Sequence, residues 1–255
     1  KFLLFGLAVS ICLTSCNTEE LNDLNINPQA VNEIDLNFMF TAAQLGSASG
    51  GSAGDNRYLD WRTNIGMTAY LIQHLANAGG GIAPGDKYTE NFESNNAPFE
   101  FFYGDALKNI SEVIKQTGPR GYDEGNKINT RNAARIIRVL NFHRLTDFYG
   151  NIPYFDALQG MEGVFFPEYD EQSAIYPDLL KELEEATAGL STSNPDEGFA
   201  AADIIYEGDI AKWKKFGYSL MLRLAMRVSN VAPQLADEYV TKAIAGGVME
   251  SNDDN

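Results

Sequence analysis

Apolar residues in this chain recur every three to four positions over long stretches and almost nowhere every second position. That spacing gathers them on one face of a helix and denies them a common face on a strand. Over 131–149, Ala133, Ile136, Ile137, Leu140 and Leu145 supply a broad apolar face, widened by Phe142 and Phe148. Gly150 and Pro153 then form a stop signal. Ile175, Leu179, Leu183, Ala186 and Leu190 share one stripe. Pro177 removes an amide donor from its first turns, so this helix is expected to begin later than the stripe or to kink.

Trp213, Phe216, Leu220, Leu224 and Val228 line a helix over 210–230, expected to be the longest, with Asp209 placed to cap it. Pro233 opens a last helix that Gly246-Gly247 ends. Upstream, 36–45 reads as a short helix and 46–54 as a Gly/Ser loop. A helix over 58–78 carries Trp61, Ile65, Thr68 or Ala69, Ile72 and Leu75, and Gly79-Gly80-Gly81 closes it. A long loop over 79–98, a helix over 101–117 stopped by Gly118-Pro119, and a polar connection over 121–129 complete the path. The expected fold class is mainly α: antiparallel helix pairs stacked side by side, joined by long irregular loops.

The front of the chain obeys different rules. One cation, Lys1, precedes the apolar run 2–13, which is too short to span a bilayer as a helix. Leu13-Thr14-Ser15-Cys16 follows. Charge, apolar core, small residues and cysteine, in that order, read as a secretory signal ending in a lipobox. The expected division is therefore a lipoprotein signal peptide over 1–15, an acidic tether over 16–35 and a helical domain over 36–255. Cys16 would carry a diacylglycerol and, at its amino group, a further acyl chain such as palmitate. Each buried CH₂ contributes roughly 0.8 kcal/mol, so several chains hold where one would not. The plainer reading is an ordinary signal peptide with a chance cysteine.

The remaining thiol, Cys12, lies within the signal, so neither a disulfide nor a thiolate metal site is expected. Two histidines, His74 and His143, make a zinc site a poor expectation, and no cofactor is called for. A formal net charge of −16 repels nucleic acid and anionic lipid, so attachment would rest on acyl chains. The 12 tyrosines and 15 phenylalanines argue for a folded body with aromatic surface to spare. A first residue other than methionine and a polar end, 251–255, that closes no element suggest a fragment of a longer chain.

Sugar binding needs flat apolar faces beside hydrogen-bonding groups, because a pyranose presents a C–H face ringed by hydroxyls. The 79–98 loop offers Tyr88, Asn91, Phe92 and Asn95. Arg57, Tyr58 and Trp61 open a helix beside the Gly/Ser loop and could line the same pocket. Against this, the loop residues could simply tuck the loop onto the body, and Trp61 fits the apolar stripe of its own helix. Trp213 and Phe216 read as core. His143, Arg144 and Asp147 sit near a helix end, where His143 more often donates to a carbonyl or carboxylate than acts as a base; no nucleophile accompanies it. Arg223 and Arg227 are one turn apart and suit carboxylates on a neighbouring helix. The acidic run 181–185 reads as a solvated face.

The lipobox and the stretches Ala134-Arg135-Ile136-Ile137-Arg138-Val139-Leu140-Asn141-Phe142-His143-Arg144-Leu145-Thr146-Asp147-Phe148-Tyr149-Gly150-Asn151-Ile152-Pro153-Tyr154, Tyr169-Asp170-Glu171-Gln172 and Tyr206-Glu207-Gly208-Asp209 resemble the SusD/RagB family of Bacteroidetes outer-membrane lipoproteins, in its SusD-like branch. The stretch Ser219-Leu220-Met221-Leu222-Arg223-Leu224-Ala225-Met226-Arg227 extends the likeness. The resemblance implies tetratricopeptide-like helix pairs and residence on the extracellular face of the outer membrane. It implies a partner, a SusC-like TonB-dependent transporter, over which the protein sits as a lid, and an oligosaccharide or peptide ligand. It implies no catalytic residue. Family members run to about twice this length, so a carboxy-terminal half is expected to be missing. Glu19, Glu20 and Asp23 resemble the export signal of such surface lipoproteins. Two other functions compete: a lipid-anchored glycoside hydrolase using two carboxylates, for which no motif stands out, and a helical scaffold that binds only protein.

Overall fold

The computed structural model describes residues 34–49, 58–79, 85–89, 91–193 and 195–255. Cys16, the tether up to residue 33 and Arg57 lie outside them. Within the compact unit Asp35–Asn255 the path is helical. Helix α1 spans Leu36–Ser49, and a π-type helix over Tyr58–Thr68 runs into one α-turn, Ala69–Leu71. Helix α2 (Phe92–Phe101) passes through a π-type stretch, Phe102–Ala106, into α3 (Leu107–Gln116). Then come α4 (Ile128–Tyr149), α5 (Gln172–Gly189), the short α6 (Phe199–Ala202), α7 (Ile210–Arg227) and α8 (Pro233–Gly246). Among the described residues the only sheet-like pairing is one antiparallel bridge, Ile152 to Asp170. No described helix is long and apolar enough to cross a membrane.

Successive helices double back on one another. The far end of α4 touches the near end of α5, where Thr146 accepts from Gln172, and the opposite ends meet where Asn129 bonds Ser191. Helices α5 and α7 pack closely, and so do α7 and α8. Gly217 makes the first approach possible: a Cβ there would stand 2.2 Å from Thr187 Oγ1. The expected stripes are the core. Ile175, Leu179, Leu183 and Ala186 on α5 and Trp213, Leu220 and Leu224 on α7 are buried, each large side chain stabilising the fold by roughly 1.5–3 kcal/mol. Trp213 also donates its indole N–H to Asp203 Oδ2 at 2.6 Å. Asp209 caps α7 as expected, accepting from Ala211 and Lys212 N–H at 2.8 and 3.1 Å.

Several expectations need correction. Helix α1 runs on through Gly46 to Ser49, because Gly46 fits against Ala106 and the buried Ser47 hydroxyl bonds Ala43 O and accepts from Asn141. Tertiary contacts there override the loop-forming tendency of Gly and Ser. The 58–78 helix ends seven residues early. Gln73 takes φ +60, and the amides of Gln73 and His74 close back on Tyr70 and Ala69 oxygens, a Schellman stop without glycine. Helix α2 begins inside the predicted 79–98 loop, with Asn91 as its cap.

Helix α5 begins at Gln172, ahead of Pro177, and passes through it. Helix α7 ends at Arg227, and α4, with 22 residues, is longer. Glu182 is not solvated: it is 4% exposed, held by Arg135 at 3.3 Å and Arg138 at 2.6 Å. The polar end does form an element, a 3₁₀ turn Asn252–Asp254 capped by Ser251.

Candidate functional site

The site begins with a proline in the middle of a helix. Pro98 has no N–H to give the carbonyl of Ser94, a buried residue one turn back in the first turn of α2. The Thr63 hydroxyl takes the missing place, donating to Ser94 O at 2.9 Å. At the next rung the Tyr149 hydroxyl accepts from Phe99 N–H at 3.0 Å and donates to Asn95 O at 2.6 Å. Burial pushes the Tyr149 phenol up to about 12, so it stays a donor at any physiological pH. These substitutions pin the first turns of α2 over the end of α4.

The Asn91 side chain accepts from Ser94 N–H at 3.0 Å and sets where α2 starts. Phe92 and Asn95 then project beside Tyr149 and Phe99, whose rings meet edge to face at 5.8 Å. Tyr169 and Asn151 complete the wall of an open cleft of about 350 Å³, with Asn96. Phe92 and Tyr169 are 74% and 61% exposed. Flat apolar rings alternating with side-chain amides give the cleft both halves of a sugar's chemistry.

The sequence-predicted residues separate here. Phe92 and Asn95 line the cleft, while Asn91 supports it as a helix cap. Tyr88 is exposed in a left-handed backbone position, φ +54, and is not part of the wall. Trp61 is 48% exposed, not core, because Thr63, Gly66 and Tyr70 form the inward face of its segment. Tyr58 opens the π-type helix. Phe99, Tyr149, Asn151 and Tyr169 were missed. Only Tyr169 carried a signal, the aromatic-rich stretch Phe165-Phe166-Pro167-Glu168-Tyr169 between a clear helix stop and a clear helix start.

A second cavity of about 680 Å³ lies where α4, α5, α7 and the start of α8 meet. Half of its lining residues are aliphatic: Pro177, Val228, Val231, Ala232 and Leu235. The one ring on it, Tyr176, gives its hydroxyl to Asp147. Asp147 also accepts from Arg227 Nε at 2.5 Å and lies 3.0 Å from His143 Nε2. Burial raises this carboxyl, but the donors from His143, Tyr176 and Arg227 outweigh it and hold the group below its ordinary value. Arg227 thus meets a carboxylate of a neighbouring helix as expected, whereas Arg223 is exposed with no ion pair among the described residues. The arrangement ties α4, α5 and α7 together. No described cluster of His, Cys, Asp and Glu is close enough to hold a metal.

A family model described as "Starch-binding associating with outer membrane", SusD-like, matches residues 28–255. The chain belongs to the SusD-like family. A solved chitin-binding protein is 33% identical, with a TM-score of 0.74, over 87% of this chain and 45% of its own. A SusD-like protein from Bacteroidetes AC2a is 30% identical, with a TM-score of 0.71, over 87% of this chain and 39% of its own. A chitin-binding SusD homologue from Flavobacterium johnsoniae shares the fold at 23% identity and a TM-score of 0.62. The SusD-like chain described here therefore spans less than half the length of these solved relatives. None of the curated proteins matches. Two of these SusD-like relatives are named as chitin-binding proteins, not enzymes, and the tetratricopeptide-like helical fold is theirs as well.

Proposed function

We propose that this SusD-like protein is a cell-surface glycan-binding lipoprotein, held in the outer membrane by acyl chains on Cys16 and carried on the 16–35 tether. In this reading it is the ligand-capturing lid of a SusC-like TonB-dependent transporter. Ligand contacts add to the closed state only, so binding shifts the lid toward closure. The observation that carries the glycan assignment is the cleft itself: two exposed aromatic faces, Phe92 and Tyr169, beside the Asn95, Asn96 and Asn151 side chains. The name of the 33% identical relative supports an N-acetylglucosamine polymer as the first ligand to try. Its acetamido groups would suit the amide-rich wall.

The test is calorimetry with oligomers of N-acetylglucosamine and of α-1,4-glucose, alongside an assay for new reducing ends. Binding without release of sugar is expected. Phe92→Ala or Tyr169→Ala should each weaken binding by about tenfold, since a lost ring contact of 0.5–1.5 kcal/mol comes with lost apolar burial. Unchanged affinity in both variants would remove the cleft from consideration.

A further inference from the structure

We infer that the loop over 151–171 is a second glycan platform, continuing the cleft outward so that the protein grips an extended chain of several sugars. This inference rests on the glycan reading of the cleft and deepens it. The loop is closed at its base. Ile152 and Asp170 exchange backbone hydrogen bonds at 3.3 and 2.9 Å. Asp170 Oδ2 accepts from the amides of Tyr154 and Phe155, both at 2.9 Å. Midway, Glu162 meets Lys115 of α3 at 2.5 Å. Such a strapped segment is a compact surface loop with adjoining ends, a form that frequently carries function.

What the loop presents is out of keeping with so firm a hold. Phe165 is 73% exposed and Phe166 94%. Two adjoining phenylalanines displayed to water on a fixed support mark a contact surface. Continuity with the cleft favours sugar as the occupant. Tyr169, at the same loop's end, already lines the cleft, and Phe165 lies no more than about 14 Å from it along the backbone. That distance is a few linked pyranoses. Between the rings, Glu168 is exposed and without a partner among the described residues, free to accept from sugar hydroxyls. Ring, carboxylate and ring in succession set apolar faces beside a hydrogen-bond acceptor, where the cleft uses amides.

Length dependence tests this. The probes are the disaccharide and hexasaccharide of N-acetylglucosamine and of α-1,4-glucose, titrated into the wild-type chain, Phe165→Ala/Phe166→Ala and Phe92→Ala. Far-ultraviolet circular dichroism should confirm that each variant folds. The double variant is expected to lose about tenfold in affinity for the hexasaccharide and less than about twofold for the disaccharide. Phe92→Ala should lose affinity for both lengths. Equal hexasaccharide affinity in wild type and double variant would overturn the platform while leaving the cleft intact, and would assign the phenylalanine pair to a protein contact. No binding of either sugar series at either length would overturn the cleft reading and this inference with it.

Discussion

At the scale of single residues, hydroxyl groups let a helix carry Pro98. Thr63→Val keeps the shape but leaves Ser94 O buried without a donor. It should destabilise the protein by about 1–3 kcal/mol in urea unfolding, whereas Thr63→Ser should recover most of that. The Asp147 hub gives a pH dependence of definite sign. Its folded carboxyl titrates below its ordinary value of 3.8, so its contribution is complete above that value and fades as pH falls through the folded pKa. The stability difference between wild type and Asp147→Asn should be largest at neutral pH and shrink as pH falls below 3.8 and through the folded pKa. A difference that grows on acidification would contradict the hub. Only the pieces of this hub were visible in the chain's order. His143, Asp147 and Arg227 could be placed near partners, but that Asp147 receives three of them depends on α7 crossing α4.

At the scale of elements, periodicity located the helices that the core requires and misplaced those that other forces shape. Helices α4, α5 and α7 bury long apolar stripes, so their sequences carry the information outright. The segment over 58–71 turns Thr63, Gly66 and Tyr70 inward and leaves Trp61, Ile65 and Ile72 outward, against the apolar pattern. The inward face is held by the hydrogen bond from Thr63 to α2, which contributes nothing to a hydrophobic count. Part of the cleft was legible for a similar reason. Phe92 and Asn95 stood in a stretch already suspicious for its composition, while Tyr149 and Asn151 stood at a helix end that read as structure. The α5–α7 contact has its own prediction. Gly217→Ala places a methyl 2.2 Å from Thr187 Oγ1 and should cost about 1–3 kcal/mol by overpacking; adding Thr187→Ala should restore most of it. Thermal unfolding of the single and double variants would show whether the two changes couple.

At the scale of the whole molecule, the SusD-like family fixes the architecture, and the acidic surface narrows the means of attachment. A body of net charge −16 gains nothing from anionic lipid, so Cys16→Ala should move the protein from the membrane fraction to the soluble one in cells that lipidate it. Retention of that variant in the outer membrane would refute the acyl anchor. One feature of helix α4 bears on how such a chain is made. Helix α4 has no capping side chain of its own, and Asp196 supplies the cap from afar, accepting from Asn129 and Thr130 N–H at 3.1 and 2.6 Å. On a ribosome or a translocating pore, which delivers residues in order, the first turn of α4 must wait for an acceptor 66 residues behind it. The nascent segment stays frayed at that end, and so open to chaperones or proteases, until the chain has emerged past the turn that follows α5.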